Sequence, residues 1–350
     1  MNGTALDDTT RSFSWDAALS RPSIVVTCQL SCAGSDLGSR ASSDGPTLTQ
    51  TDTPTGHVEV LFAEDQFAAT NWLTINGGVR VTHFSGAISE NAVNPRIVAA
   101  AHIPNRDWVV RGYYGRYYQP PPLTTVSGPL LELAADQGFG FLPLKGERDE
   151  QYEIGVAIPI RGWTIDVDQF RTNAENFFDH DVIGNSNVFI PLTIDTARIR
   201  GWESTLRSPR RAHVQAHVAY AHRFVEGRSG VSGGLTSFEP PSDDFFFLDH
   251  DQRDTLTGGA DVEVELGTWV SATVGYGSGF LEGDGPQHKP AHATVSLQAS
   301  RVFRKQWTAF VTALNVGDTH FLLDESNTFG GTHFNSPRQV SVGIKYRFHY

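Results

Sequence analysis

Apolar and polar residues alternate at every second position through most of the chain. The pattern is clearest near the C-terminus, where single polar or small residues separate Val340, Val342 and Ile344. Such alternation gives a β-strand one apolar and one polar face. It predicts strands near residues 56–67, 72–84, 93–103, 107–118, 150–160, 162–173, 194–207, 211–224, 253–266, 268–280, 291–303, 306–316 and 338–350, with a weaker one near 21–31. The chain is therefore predicted to be all-β.

The connections between these strands alternate in length. Short joints such as Arg161, Gly267 and Arg304-Lys305 alternate with long segments. The long segments are residues 119–149, 174–193, 226–252, 281–290 and 317–337. Tight turns at one end of the strands and long loops at the other are typical of transmembrane β-barrels, whereas a soluble sandwich has no reason to sort its loops in this way.

The two faces of the predicted strands carry different chemistry. Val, Ile, Leu and Ala dominate one face, and aromatic residues lie on it toward the strand ends, at Trp72, Trp108, Trp163, Trp269, Trp307, Tyr346 and Phe348. The other face carries Arg80, Asp166, Asp168, His217, Asp261, Glu263 and Glu265. Charged side chains are costly when they face lipid and cost little when they face a wet lumen. The pattern predicts an antiparallel, up-and-down transmembrane β-barrel with aromatic residues at the membrane interfaces.

Composition narrows the classes of function. The formal net charge of −12 argues against a nucleic-acid-binding protein, which usually carries a basic face. Two cysteines are too few for a disulfide scaffold or a four-thiolate zinc site. No uninterrupted apolar run reaches the roughly 18 residues of a transmembrane helix. The polar character of residues 1–20 predicts no secretory leader there.

Several stretches resemble the barrel of TonB-dependent outer-membrane receptors. Residues 71–80, reading NWLTINGGVR, resemble a strand motif that recurs in the family, and residues 110–121, reading VRGYYGRYYQPP, resemble another. Further likenesses are Asn94-Pro95-Arg96-Ile97, the set Glu147, Glu150, Tyr152, Glu153 and Gly155, Ile199 to Glu203, Leu314-Asn315-Val316, Phe329-Gly330 and Pro337-Arg338. Their order and spacing make the set specific, and it covers roughly residues 55–350.

The resemblance implies a transporter of the outer membrane of a Gram-negative-type bacterium. Such receptors import scarce ligands, typically iron–siderophore complexes or cobalamin, with energy that TonB delivers through a plug. Outer-membrane lipid and a small-molecule ligand at the outer loops are the implied partners, and TonB is a partner only if a plug lies upstream. The aromatic terminal strand, with Phe348 and Tyr350, resembles the signal read by the barrel assembly machinery, although Tyr replaces the usual terminal Phe. No cofactor is implied.

The front of the chain departs from the family pattern. A leader, an energy-coupling box and a plug are not identified in the sequence, and about fourteen strands stand where the family has about twenty-two. Residues 1–55 are expected to be an irregular segment with one weak strand and a long polar loop, and residues 56–350 the barrel. An incomplete barrel of this kind is not expected to perform energised uptake alone, since free sheet edges are costly in lipid.

Two other functions fit the same pattern. A passive, porin-like channel would also have charged lumen residues, and a soluble exported β-sheet binding protein would also alternate. An enzyme is not expected. The sequence has no G-x-S-x-G nucleophile motif, and the glycines of residues 275–279 lie in an alternating strand without the Lys-Ser/Thr that closes a phosphate loop.

Clusters of possible metal ligands occur in two of the long segments. Residues 177–181, reading FFDHD, combine two carboxylates with an imidazole. Asp243-Asp244 and Asp249-His250-Asp251, with Asp254, make a later segment acidic. Divalent ions bind such groups, but the spacing matches no EF-hand, and polar loop tips are the favoured interpretation. No catalytic, cofactor or metal residue is assigned, and the ligand-binding residues stay unknown.

Two further pairs of residues are too far apart along a strand to share a ligand or a bond. His213 and His217 are separated by about 13 Å if they lie on one strand, at roughly 3.3 Å per residue, so one metal ion cannot take both. Cys28 and Cys32 have the same separation, and a disulfide between them would need a turn. Whether the two cysteines pair is left open.

Overall fold

The molecule consists of strands joined by turns and loops. The computed structural model describes the backbone of residues 9–15, 25–34, 37–38 and 51–52, and then residues 55–86, 88–123, 140–182, 189–211, 213–235, 244–249, 251–265, 267–282, 285–324 and 333–347. The strands are β1 Thr9–Trp15, β2 Val25–Gly34, β3 Leu37–Gly38, β4 Thr51–Asp52, β5 Thr55–Ala68, β6 Leu73–Ser85, β7 Ser89–Ile103, β8 Trp108–Gln119, β9 Phe141–Leu142, β10 Glu147–Ile160, β11 Trp163–Val182, β12 Phe189–Arg207, β13 Val214–Leu235, β14 Phe246–Phe247, β15 Asp254–Glu265, β16 Thr268–Gly277, β17 His292–Phe303, β18 Trp307–Leu314, β19 Leu322–Asp324, β20 His333–Phe334 and β21 Gln339–Tyr346.

The long strands form one antiparallel meander. Each pairs with the next long strand along the chain, in the order β1, β2, β5, β6, β7, β8, β10, β11, β12, β13, β15, β16, β17, β18 and β21. The short strands β9 and β14 add to β13 and complete a 17-stranded sheet. Among the strands that the structure describes, no pairing joins β1 to β21, so the sheet has a free edge at each.

The architecture confirms the predicted all-β, up-and-down sheet. All 14 strands expected from the alternation are present. The weak pattern near 21–31 corresponds to β2, and β1 is a strand that the pattern did not indicate. Division of the chain into residues 1–55 and 56–350 stays a prediction.

Tight hairpin turns occupy one end of the sheet, as the short joints predicted. Arg161 and Gly162 connect β10 to β11 with φ values of 52° and 85°, and Arg304 and Lys305 connect β17 to β18 with 48° and 62°. Positive φ at both central residues gives a two-residue turn the twist of its flanking strands. These turns hold the registers that fix which face each side chain occupies.

At the other end of the sheet, three strands are longer than the alternation indicated. β11, β12 and β13 contain 20, 19 and 22 residues. Much of the expected loop 174–193 is therefore strand, and the FFDHD segment lies on β11 rather than at a loop tip. The alternation fails there because a face that packs against other chain segments does not have to be apolar at every second residue, while backbone pairing continues unchanged.

One face of the sheet is apolar and exposed. We define the apolar face as the one carrying Val110, Val156 and Val167, which lie opposite one another in β8, β10 and β11. Apolar side chains on this face remain solvent-exposed, as with Ile154 at 60% and Val342 at 79%. A soluble protein would cover such a surface, so this face is suited to lipid.

Aromatic residues border the apolar face at both ends of the strands. Trp108 and Trp163 lie on it at the tight-turn end, opposite Ile103 and Ile160, and Trp307 packs there on Tyr346 with ring centres 4.6 Å apart. The long-loop end has a second band that the sequence did not indicate, formed by Tyr114, Tyr152, Trp202, Tyr220 and Tyr276. Two such bands are typical of barrel strands at two membrane interfaces.

The expected position of Trp269 on the apolar face was wrong. Trp269 lies opposite Glu263 on the other face, next to Val270, which faces Val262 on the apolar side. Adjacent residues of a strand point to opposite faces, so Val270 and Trp269 cannot share one. The Trp269 ring is 4.7 Å from the guanidinium carbon of Arg210. Phe348, the last aromatic residue of the expected set, lies outside the described residues.

Candidate functional site

A charged cluster lies at mid-strand on the polar face, which we define by Arg111, Gly155 and Asp168. Arg111 of β8 donates to Asp166 Oδ2 at 3.2 Å, contacts Asp168, and lies 3.9 Å from Glu153. Three carboxylates around one guanidinium leave a net negative charge. Such a group would be costly in lipid and is readily accommodated beside water, so this face is suited to line an aqueous lumen.

Gly155 makes this cluster possible. It lies between Arg111 and Asp168 in neighbouring strands. A Cβ atom at Gly155 would fall 1.7 Å from Asp168 Oδ1 and 3.1 Å from the Arg111 guanidinium carbon. The absence of a side chain therefore leaves the space in which the carboxylate of Asp168 meets Arg111.

The extended ends of β11, β12 and β13 are held by an apolar core at the long-loop end. We call this the outer-end core, and its buried members are Ala174, Leu192, Ile194, Ala197, Val225, Phe246 and Leu248. Leu192 and Ile194 are fully buried. The core fixes the long strands and the short β14 as one unit, so the long-loop end of the sheet has a packed structure of its own.

Asp251 joins two of the long connections to this core. Its side chain is fully buried and accepts the backbone N–H of Val225 at 2.8 Å. It also accepts from Arg253 Nε at 2.5 Å and lies 3.0 Å from His288 Nε2. The expected loops 226–252 and 281–290 are thereby tied to each other and to β13, and a buried carboxylate with three partners makes a firm junction.

The last long connection is closed by side chains at its two ends. Asn315 donates to the carbonyls of Thr319 at 3.0 Å and Ser336 at 3.1 Å. The backbone N–H of Arg338 donates to Asp318 Oδ1 at 2.9 Å, and this bond to the charged form holds the pKa of Asp318 below its ordinary value. The motif residues Asn315 and Arg338 therefore fix the base of the final hairpin.

The candidate metal ligands that the structure describes form no set of three. Among the residues that the structure describes, no group of three or more His, Cys, Asp and Glu side chains could hold a metal ion. Asp251 is engaged as above, and Asp254 accepts from Tyr220 and lies 2.8 Å from His222. His213 lies 3.6 Å from Glu263, while His217 faces Gly259. Asp243 and His250 lie outside the described residues.

The cysteines lie on one strand. Cys28 and Cys32 are both in β2, opposite Leu61 and His57 of β5. Four residues of strand separate them by about 13 Å, and a disulfide needs Cα atoms within about 7 Å. The turn that a bridge would require is replaced by extended backbone.

Within the described part of the chain, no helix is long and apolar enough to cross a membrane.

Comparison with known sequences assigns the family. The family described as "TonB dependent receptor-like, beta-barrel" matches residues 8–316. The chain belongs to this family. The match begins before the resemblance noted in the sequence and includes β1 and β2. No curated protein matches the chain. Members of the family are receptors and transporters of the Gram-negative outer membrane.

Solved structures share the architecture at low sequence identity. The copper transporter OprC superposes with a TM-score of 0.64 at 11% identity, over 97% of this chain and 56% of its own. The FrpB iron transporter from Neisseria meningitidis gives 0.61 at 14%, over 97% and 55%. The ferric-catecholate import receptor Fiu from E. coli K12 gives 0.60 at 14%, over 97% and 54%. The TonB-dependent receptor-like chain thus spans about half the length of these structures.

Proposed function

We propose that this TonB-dependent receptor-like chain forms part of an outer-membrane receptor for energised uptake of a scarce ligand. The observation that carries the proposal is the segregation of the sheet into an exposed apolar face, bordered by two aromatic bands, and a polar face with a charged cluster at mid-strand. Family membership connects that surface with receptors and transporters. A water-filled passage along the polar face and lipid against the apolar face would account for the different chemistry of the two faces.

The ligand class is inferred from the relatives and the outer end of the sheet. Structural relatives include a copper transporter, an iron transporter and a ferric-catecholate import receptor, so a metal ion or its chelate, with cobalamin as a further candidate, is the proposed cargo. The proposed contact surface comprises residues 119–149, 174–193, 226–252, 281–290 and 317–337, which include the ends of β11, β12 and β13 at the long-loop end. The outer-end core and the hydrogen bonds of Asp251 support this proposal, because they hold several of these segments together.

The proposed location and partners follow from the same assignment. The chain would reside in the outer membrane of a Gram-negative-type bacterium, contact its lipid through the apolar face and be inserted by the barrel assembly machinery. TonB would act on it only through a plug. The 350 residues alone are proposed to be incompetent for energised uptake. Among the described strands, β1 and β21 each pair on one side only, and unpaired backbone groups in lipid would cost several kcal/mol per group.

Membrane insertion is tested first. The full chain is exported to the outer membrane of an expression host, and isolated membranes are washed with alkaline carbonate and then with detergent. We expect release only by detergent, because the apolar face is in lipid. Release by carbonate alone would contradict insertion and support the soluble binding protein.

Uptake is tested next in cells that lack their own receptor. Cells carrying the full chain are given a radiolabelled ferric catecholate or copper, with and without a functional TonB. We expect no TonB-dependent accumulation from the chain alone. Accumulation that requires TonB would contradict the proposed incompetence, and accumulation independent of TonB would support a passive channel.

A further inference from the structure

One row of residues, which crosses neighbouring strands on the apolar face, contains two arginines flanked by aromatic residues. Tyr114, Tyr152, Arg171, Arg200 and Phe224 lie opposite one another in β8, β10, β11, β12 and β13. This row belongs to the aromatic band at the long-loop end. Two exposed arginines, Arg171 and Arg200, therefore lie on the lipid-facing surface at the depth of the lipid headgroups.

A groove runs from these arginines toward the middle of the strands. It has a volume of about 780 Å³, and its apolar lining includes Ile154, Val156, Val167 and Trp202, with Arg171 and Arg200 also lining it. An adjoining groove of about 520 Å³ shares Ile154 and Arg171.

Gly112 lines this second groove and leaves it open. A Cβ atom at Gly112 would meet only the Glu153 carbonyl oxygen, at 4.0 Å. Together the two grooves form an apolar depression with a cationic upper rim.

The two arginines are unequally compensated. Arg200 donates to Glu226, but Arg198 also occupies that carboxylate. Arg171 donates to the neutral amide oxygen of Asn173 at 3.0 Å, and among the described residues no carboxylate forms a salt bridge with it. Like charges directly opposite each other across two strands are unfavourable. Arg171 without a salt bridge, beside two arginines that share one carboxylate, favours an anionic ligand from outside the chain, even though the net charge of the chain is −12.

We propose that this depression binds a lipid of the surrounding outer leaflet whose headgroup is an anionic phosphate without a compensating cationic group. The phosphate lies between Arg171 and Arg200, whose planar guanidinium groups suit phosphate oxygens, and an acyl chain lies along Ile154 and Trp202. The inference rests on the proposed membrane placement of the apolar face. A free phosphate ion would share the headgroup chemistry but would not use the groove.

Lipid retention by the purified chain tests the proposal. The full chain in non-ionic detergent is mixed with phosphatidic acid or with phosphatidylcholine of the same acyl chains, and bound lipid is measured by native mass spectrometry. We expect selective retention of phosphatidic acid, reduced at least tenfold in the double variant Arg171→Gln, Arg200→Gln. The matched control is Arg301→Gln, which removes an arginine from the apolar face of β17, outside the groove, and should retain lipid normally.

A second variant and a competitor separate the two halves of the site. Gly112→Leu partly fills the adjoining groove and keeps both arginines, so it should weaken lipid retention while the detergent-solubilised fold, checked by circular dichroism, is unchanged. Inorganic phosphate should not displace the lipid at equal concentration. Equal retention of both lipids, loss in Arg301→Gln to the same degree, or displacement by phosphate would overturn the proposal. Because binding is measured in detergent, these results do not depend on the insertion and uptake assays.

Discussion

Asn315 shows how one residue can determine the path of a whole connection. It has a positive φ of 47°, is 5% exposed, and accepts the backbone N–H of Thr319 while donating to Thr319 and Ser336. The side chain thus replaces backbone partners that the turn cannot supply. A family motif in the sequence corresponds here to a set of hydrogen bonds.

Replacement of Asn315 by Ala should destabilise the protein. The change removes the three hydrogen bonds of the Asn315 amide, although Asn335 still donates to both carbonyls. We expect the free energy of unfolding to fall by about 1–3 kcal/mol. Urea unfolding in detergent, followed by tryptophan fluorescence, measures the change. Asn71→Ala, at an exposed turn, serves as the control and should have little effect. Equal midpoints for the two variants would contradict the role assigned to Asn315.

Replacement of Gly155 by Ala should disrupt the charged cluster. The new methyl group would occupy the place of Asp168 Oδ1, so Asp168 must leave Arg111 or the strands must separate. We expect lower stability by roughly 1–3 kcal/mol, the usual cost of overpacking, measured by thermal unfolding in detergent. Gly77→Ala is the control, since a Cβ atom there meets nothing within 4 Å. An unchanged Gly155→Ala variant would show that the cluster does not need this space.

At the scale of elements, the outer-end core explains why β11, β12 and β13 extend beyond their alternating segments. Buried residues such as Ala174 and Leu192 lie at strand positions that the sequence assigned to a loop. Their burial joins neighbouring strands where no lipid-facing stripe is present. Alternation with period two arises where one face of a strand is exposed to a uniform solvent. It does not predict strands where both faces pack against other parts of the chain.

The outer-end core should be sensitive to loss of apolar volume. Ile194→Ala removes three carbons from a fully buried site, and we expect a loss of about 2–4 kcal/mol. Val274→Ala, on the exposed apolar face at 47% exposure, should cost much less in detergent. Limited proteolysis at the long-loop end measures the loosening directly. Equal resistance of Ile194→Ala and the parent chain would contradict a stabilising core.

At the scale of the whole molecule, the centre of the sheet is paired on both sides, whereas β1 and β21 each pair on one side only among the described strands. β11 and β12 pair along most of their length on both sides, while β21 pairs with β18 alone among the described strands. Strands paired on one side leave amides and carbonyls for another strand to bind. In a membrane these edges favour closure or association with further strands.

The rate of amide hydrogen exchange should therefore increase from the centre of the sheet toward its edges. In detergent, we expect the slowest exchange in β12 and much faster exchange at every second amide of β21, whose N–H groups alternate between β18 and the free edge. Mass spectrometry of proteolytic fragments, with electron-transfer fragmentation, gives the needed resolution. Uniform protection of β21 would show that its outer edge is paired, through closure with β1 or with a second copy.

The sequence by itself determined fourteen of the fifteen long strands, the hairpin turns and most of the two-faced chemistry of the sheet. Those features depend on short-range rules, because side chains alternate along a strand and a turn selects its own residues. The family motifs also lie in the sequence, in their order and spacing. Even there, Trp269 was assigned to the wrong face, because its neighbour Val270 sets the phase of β16 and one residue of error reverses a face.

Only the tertiary structure decided which distant residues meet. Arg111 contacts Asp166 across 55 positions, and Arg171 lies opposite Arg200, because register between strands is set by the whole meander rather than by either strand. The outer-end core and the Asp251 junction have the same origin. Alternation specifies which face a side chain occupies within one strand. Which residues of the neighbouring strands lie beside it depends on the register, which the turns between the strands set.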